Sequence, residues 1–335
     1  MPCLLLAMAC GGGGTHLPEA AGGQGEVLVV MSKGHWEGAP GAAVRSILEQ
    51  PIMGLPQREA RFKVAQTTSE NFSGLLSVHH SVLYAAIGGE ADSTGAGMYR
   101  DRHARGQLLV RIAARDPDTW IALMQREGPD AAEQFDEHQR GRVAARLRKE
   151  RDAAIASSIQ TAFGIDLDIP GGYRVVRQEK DFAWLQRDRL MSGGGLEHNV
   201  IEGVLIHRHP YTSDSTFTVP YLVELRDATT RAFVEGPKEG SYMIVQRGFE
   251  GLDLMPGGHA TRLDGRFAYV MHGLYGMHGA KMGGPFVSLS TIDERDNTLL
   301  VVEGFAYAPQ FDKREYMREL EALVFSLRFA GDASP

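Results

Sequence analysis

From Asp116 to Phe163 the chain runs nearly fifty residues rich in Ala, Glu, Gln, Asp and Arg, without a β-branched cluster and broken only at Gly128-Pro129. That composition is helical. Proline disfavours helix in the residue before it and clashes with the preceding turn, so the expectation is a first helix ending near Glu127 and a second from about Asp130 to Phe163. In the second, Phe135, Val143, Leu147, Ile155, Ile159 and Phe163 fall mostly at multiples of four, a narrow apolar stripe. Arg140, Arg142, Arg146, Arg148, Lys149 and Arg151 occupy other positions on it. At 1.5 Å per residue this helix would be about 50 Å long, more than one small domain can cover, so it should touch two.

The expected fold class is α+β: two domains with mainly antiparallel sheets flanked by helices, joined by the long central helix. The expected plan is a lipoprotein signal peptide at 1–9 and a Gly-rich tether at 10–25. An N-terminal α+β domain follows at 26–115, a helical connector at 116–165, a C-terminal α+β domain at 166–330 and a disordered tail at 331–335. In the first half, the apolar run at 26–31 reads as a strand buried on both faces. A helix carrying Val44, Ile47 and Leu48 should stop before Pro51. Strands follow at 61–67 and 81–87, with a short helix between them at about 69–76, then a hairpin of 97–103 and 107–113 around Gly106. In the second half strands dominate. A hairpin around 178–181 precedes the Gly193-Gly194-Gly195 loop and a strand at 199–209. A helix from Thr218 to about Phe233 packs on the sheet, and Asp264-Gly265 turns a hairpin. Strands at 266–277, 286–292 and 299–308 form a meander. Asp312 with Glu315 reads as a capping box for a closing helix, and the Pro-Gly-Gly turn at 170–172 marks the start of an independently folding domain.

With 335 residues, 43% hydrophobic and 23% charged, and a net charge of −7, the chain can bury a core in each half and is not a disordered polymer. Nucleic acid is not the expected partner. The arginines of the long helix are interleaved with Glu133, Asp136, Glu137, Glu150 and Asp152, whereas a phosphate-binding surface needs net positive potential.

Both cysteines, Cys3 and Cys10, lie in the first ten residues, so the remainder has neither disulfide nor thiol chemistry. Residues 4–9, Leu-Leu-Leu-Ala-Met-Ala, place an apolar run and small residues before Cys10, and four glycines follow it. This resembles the lipobox of bacterial lipoproteins, which implies cleavage after Ala9 and diacylation of Cys10. The alternative is the disordered start of a cytoplasmic protein. No other segment approaches the roughly 20 apolar residues of a membrane span.

Several stretches carry a wider resemblance: 25–31 (GEVLVVM), Trp36-Glu37-Gly38, 239–243 (EGSYM), 282–287 (MGGPFV) and 305–316 (FAYAPQFDKREY). On these, almost end to end, the chain resembles a family of uncharacterised Gram-negative envelope lipoproteins, domain of unknown function 4837. The resemblance implies a secreted, lipid-anchored protein and no activity. The second half is also similar to the fold shared by Mog1 and PsbP, on the Ile169 to Tyr173 opening and the Phe325 to Phe329 ending; this concerns fold alone.

Phosphate loops, nucleophile elbows, His-Glu-x-x-His and cysteine pairs are absent from the sequence. His79 and His80, adjacent where a strand begins, point to opposite faces and read as surface histidines. His207 and His209, at i and i+2 of a strand, share a face and are the candidate metal pair; they need third and fourth ligands that the sequence does not supply. Met271, His272, Met277, His278 and Met282 imitate a copper set, but strand alternation separates methionines from histidines. Lys313 and Arg314 are candidate partner contacts. No catalytic residue and no cofactor is expected. The functional expectation is a lipid-anchored envelope protein, periplasm-facing because no acidic cluster follows Cys10. Its partners would be the membrane, through the lipid, and an envelope protein or glycan. The alternative is a metal-dependent hydrolase or metal-binding protein using His207 and His209.

Overall fold

The computed structural model describes residues 17–52 and 54–331. The chain forms two compact units, Met1–Glu49 with Phe62–Phe135, and Gln50–Arg61 with Asp136–Pro335. The long helix is placed differently from the expectation: α3 (Pro117–Lys149) runs through Gly128-Pro129, and the break comes later, at 150–152, before α4 (Ala153–Phe163). Pro129 lacks an N–H and is costly inside a helix. Here packing prevails over that propensity, since Trp120, Met124, Ala131, Ala132 and Phe135 are buried in one core. Gly128 lets this turn lie against Ile47, whose Cδ1 would be 2.6 Å from an added Cβ. Asp152 caps α4 by accepting from the N–H groups of Ala154 and Ile155, and Gly164, in the left-handed region at φ 62°, ends it.

The first unit is built on a mixed five-stranded sheet of β1 (Glu26–Val30), β2 (Lys63–Thr67), β3 (Ser81–Ile87), β4 (Gly95–Arg100) and β5 (Leu108–Ala114), in the order β2-β1-β3-β5-β4. The first four in that order are parallel, and β4 returns antiparallel to β5 as the expected hairpin. Between β1 and β2 the chain forms α1 (Lys33–Glu37) and α2 (Ala39–Leu48). One sheet face packs on α2 and the start of α3 through Val27, Val29, Leu83, Ala85, Val110 and Ile112. The expected helix at 69–76 does not form. Turns there bring Phe72 against Tyr84 on the opposite face, ring centroids 5.9 Å apart.

The second unit holds an antiparallel half-barrel sheet. Its strands are β7 (Arg174–Glu179), β8 (Phe182–Gly193), β9 (Leu196–Pro210), β10 (Tyr242–Val245), β13 (Gly257–Leu263), β14 (Arg266–His278), β15 (Ala280–Asp293) and β16 (Thr298–Tyr307). The order is β10-β14-β15-β16-β9-β8-β7, with β13 on β14. Two-residue strands β6 (Ile165–Asp166) and β17 (Arg328–Phe329) pair separately, as do β11 (Gly248–Phe249) and β12 (Leu252–Asp253). Asp264 and Gly265, both with positive φ, turn the β13–β14 hairpin as the sequence signalled. The central strands are buried on both faces. One face, with Val204, Ile206, Val270, Leu289, Leu300 and Val302, packs on α6 (Arg314–Val324), α4 and the end of α3. The other, with Phe182, Leu205, Met271, Phe286, Val301 and Phe305, packs on α5 (Val219–Phe233). Val143, Leu147, Ile159 and Phe163 belong to the first of these cores, so this unit's interior begins well before the expected boundary at Asp166.

Candidate functional site

The face under α5 carries an unusual set of side chains for a core. Glu303 lies in the middle of β16, fully buried among apolar neighbours. Its charge is compensated by Arg226 of α5, which donates from Nε at 2.8 Å and Nη2 at 2.6 Å, a bidentate pair. The guanidinium also stacks over Phe286, 4.1 Å from its centroid, and its Nη2 lies 3.2 Å from the Met243 sulfur. Burial pushes the Glu303 carboxyl up, and Arg226 offsets only part of that. Arg226 Nη1 has no hydrogen-bond partner among the described residues.

His207 sits two positions along β9 on the same face, 2% exposed. As expected from the strand period, His209 is beside it, and the rings meet directly, Nδ1 of His207 lying 2.6 Å from Nε2 of His209. One ring must therefore donate and the other accept, with Thr229 Oγ1 3.4 Å from the same His209 nitrogen. Burial pulls the His207 imidazole well down, and the neighbouring His209 and Arg226 add to it. Burial lowers His209 too, opposed by Asp181. The two rings bond each other, and no group of three or more His, Cys, Asp or Glu able to hold a metal occurs among the described residues.

Lys313 and Arg314 are not surface contacts. Each is 4% exposed. Their backbone N–H groups, at the start of α6, donate to Glu59 at 2.7 and 2.8 Å, Lys313 Nζ donates to Gln57, and Arg314 Nη1 donates to the Ala60 carbonyl. Glu59 is thus the cap of α6, supplied from 254 residues earlier in the chain. Asp312, the expected cap, instead accepts from Gln57 at 3.4 Å. Burial lowers the Lys313 ammonium, with Glu59 and Asp312 opposing.

The remaining buried carboxylates of this unit are also tied to arginines. Glu202, fully buried, accepts from Arg187 and Arg189; Glu319 accepts from Arg187 and Arg146. Burial raises the Glu319 carboxyl, but the Arg146 and Arg187 guanidiniums outweigh it and leave it below the usual range. Asp168 is held the same way by Arg328 and Arg148. These groups neutralise each other, a structural use of charge.

One feature of this unit projects outward. β9 pairs with β16 only from Ile201 onward and β8 pairs with β7 only up to Gln186, so 189–193 and 196–200 pair with each other alone. This two-stranded arm turns at Gly194-Gly195, which is the loop expected there. One side is backed by Phe311, whose ring meets His198 edge-on at 5.8 Å. Leu190 and Leu196 on it are 71% and 67% exposed.

Elsewhere, His79 and His80 are buried rather than superficial, at 8% and 1%. The chain before β1 covers them, and His80 Nε2 lies 2.8 Å from the Gly23 carbonyl oxygen. Met271 is core, as expected, and Met277 packs against the same cluster. Cys10 lies outside the described residues. Sequence reasoning missed Arg226, Glu303 and Glu59. The first two had a signal: Arg226 occupies the apolar stripe of its helix four residues after Leu222, and Glu303 is a lone carboxylate in an apolar run. Glu59 had none.

The fold and these sites define an α+β protein in which an antiparallel half-barrel sheet is packed by helices on both faces and pinned by buried arginine–carboxylate pairs. The chain belongs to the family described as domain of unknown function (DUF4837), matched over residues 152–326. The preceding half is matched by a different one, domain of unknown function (DUF8532), over 20–148. The residues at 25–31 and 36–38 fall in that second span. No curated protein matches the sequence. Solved structures similar to part of the chain include a mutant of the protein Mog1, with 12% identity, covering 50% of this chain and 92% of that one at a TM-score of 0.31. The Saccharomyces cerevisiae Ran-binding protein Mog1p matches with 11% identity, over 50% and 90%, at 0.30. A Bacteroides thetaiotaomicron VPI-5482 structure matches with 9% identity, over 51% and 47%, at 0.20. Among the described residues no helix is long and apolar enough to cross a membrane.

Proposed function

We propose that the chain is a lipid-anchored protein of the cell envelope, facing the periplasm, that binds a second envelope component, a protein or a glycan, without catalysing a reaction. The observation that carries the binding half is the β8–β9 arm: a ribbon extending past its sheet that rests on Phe311 by one side and turns two leucines to solvent. The anchoring half rests on the run of apolar and small residues before Cys10 and the glycines after it. Two or more acyl chains, at about 0.8 kcal/mol per buried methylene, hold a domain stably on a membrane.

A photo-reactive residue at position 190, expressed in native envelopes, should give a discrete adduct that Leu196→Asp abolishes. Equal adducts from a control at Glu294, 73% exposed, would remove the case for the arm. Separately, the full chain should partition into detergent and take up labelled palmitate, and Cys10→Ala should abolish both. Stoichiometric zinc or copper in the purified protein, lost on His207→Ala, would overturn the non-metal reading.

A further inference from the structure

Resting on the lipid-anchor reading, we infer that the end of the first unit where β3 and β5 begin and β4 finishes lies flat on the phospholipid surface, with Leu75, Leu76 and Leu17 dipping into it. Three observations converge there. The first is the entry of the chain. Ala20 donates to the Arg105 carbonyl, Arg105 donates to that of Pro18, and Ala21 donates to the Val78 carbonyl and accepts from the His80 N–H. Leu17 is therefore fixed beside the β4–β5 turn.

Cys10 is seven residues before Leu17, which bounds their separation at about 25 Å. An acylated Cys10 leaves this end of the unit no freedom to stand far from the bilayer.

The second observation is where the apolar surface lies. Among the described residues of this unit, the exposed large apolar side chains are Leu75 at 87%, Met98, Tyr99, Leu76 at 39% and Leu17 at 38%. Leu75 and Leu76 precede Ser77, whose carbonyl accepts from Gln107 at the base of β5, and Tyr99 is the penultimate residue of β4. Leu17, Leu75 and Leu76 thus gather at the end the tether enters, while the Tyr99 ring lies back along β4 over Gly97.

The third is the kind of polar group that rims them. Arg100, Arg102 and Arg105 share this stretch with Asp101 and Glu19, three positive and two negative charges; Arg105 pairs with Glu19, and the Arg102 guanidinium stands over the Tyr99 ring at 5.8 Å. Tyrosine and arginine are side chains of the headgroup layer, with an apolar body and a polar tip. The near-neutral charge makes the contact insertion of leucines into lipid of any headgroup rather than attraction to anionic lipid. A few leucines are too weak to hold a free protein, but at the effective concentration set by a short tether they fix its orientation.

The test bypasses acylation. The chain from Cys10 onward has one cysteine, which can be coupled to a maleimide lipid in zwitterionic phosphatidylcholine vesicles or, as control, to a soluble maleimide. Amide hydrogen exchange across 72–79 and 99–106 should slow roughly tenfold on vesicles relative to the soluble adduct, and Leu75→Asp with Leu76→Asp should cancel the slowing while leaving the rest of the exchange map unchanged. No slowing there, or slowing elsewhere such as 189–197 instead, overturns the orientation. Slowing that appears only in native membranes and not on pure lipid places a protein on this surface and overturns the lipid assignment. Loss of palmitate labelling in cells, by contrast, would count against the anchor and not against the surface.

Discussion

Arg226 and Glu303 form a bidentate ion pair between α5 and the central strand β16, with side chains 2% and 0% exposed. Water cannot replace either partner, so the two single substitutions differ sharply from the double one. Arg226→Met or Glu303→Leu alone should cost about 3–5 kcal/mol by leaving a buried charge uncompensated, while the two together should be close to neutral. Urea denaturation of the four proteins, read as a double-mutant cycle, checks this; additive single effects would count against it.

The cap that Glu59 places on α6 predicts an asymmetry between two acidic residues. Glu59→Ala should destabilise by about 1–2 kcal/mol through lost bonds to the Lys313 and Arg314 N–H groups. Asp312→Ala, at the position the sequence pattern favours, should change little. Thermal unfolding of both variants decides the matter.

Acid should weaken the second unit from pH 6.5 downward. The His207 imidazole has its ordinary value of 6.5 when unfolded and a much lower one when folded, so the unfolded chain binds the proton first. Stability therefore falls as pH drops through that window. His209 and His272 act with the same sign, while the raised Glu303 acts oppositely, the native state binding the extra proton above pH 4.5. His207→Gln should flatten the dependence of stability between pH 7 and 5.5 by up to about 1.4 kcal/mol per pH unit, measured from denaturant midpoints.

Gly203 lies directly across from Phe305, and a Cβ there would overlap the ring; a Cβ at Gly284 would overlap the Ala306 carbonyl. Gly203→Ala should cost about 1–3 kcal/mol, with part recovered by Phe305→Leu. Gly284→Ala meets backbone, and no single side-chain change should recover it. Melting temperatures of the single and paired variants test the contrast.

A chain started at Asp166 omits Val143, Leu147, Ile159 and Phe163 from its core. It should lack a cooperative unfolding transition, whereas one started at Asp136 should retain it. Calorimetry of the two fragments separates these outcomes.

The β14–β15–β16 meander and the Asp264-Gly265 hairpin were readable because local apolar alternation and turn chemistry agree with the final packing. The helix through Pro129 was not. Local preference argued for a break there, and only burial of Trp120, Met124 and Phe135 in a shared core reverses it. The His207–His209 contact followed from the strand period, but its burial depended on α5, and local sequence says nothing of which helix covers a strand. Lys313, Arg314, His79 and His80 were misread for one reason. Polar side chains look superficial until the distant groups that satisfy them, Glu59, Gln57 and the Gly23 carbonyl, are brought alongside.

The Glu59 cap also orders events in time. During synthesis from the N-terminus, residues 50–61 leave the ribosome long before α6 exists, yet their ends already close on each other, Arg61 donating to the Gln50 carbonyl and Phe62 to that of Leu48. The excursion can therefore wait as a closed loop while β1 to β5 assemble, its carboxylate bare. It docks only when residues 313–318 emerge some 250 positions later. A nascent chain interrupted before that point would leave Leu55 without the core it packs on and the Glu59 carboxylate without the N–H groups it accepts from.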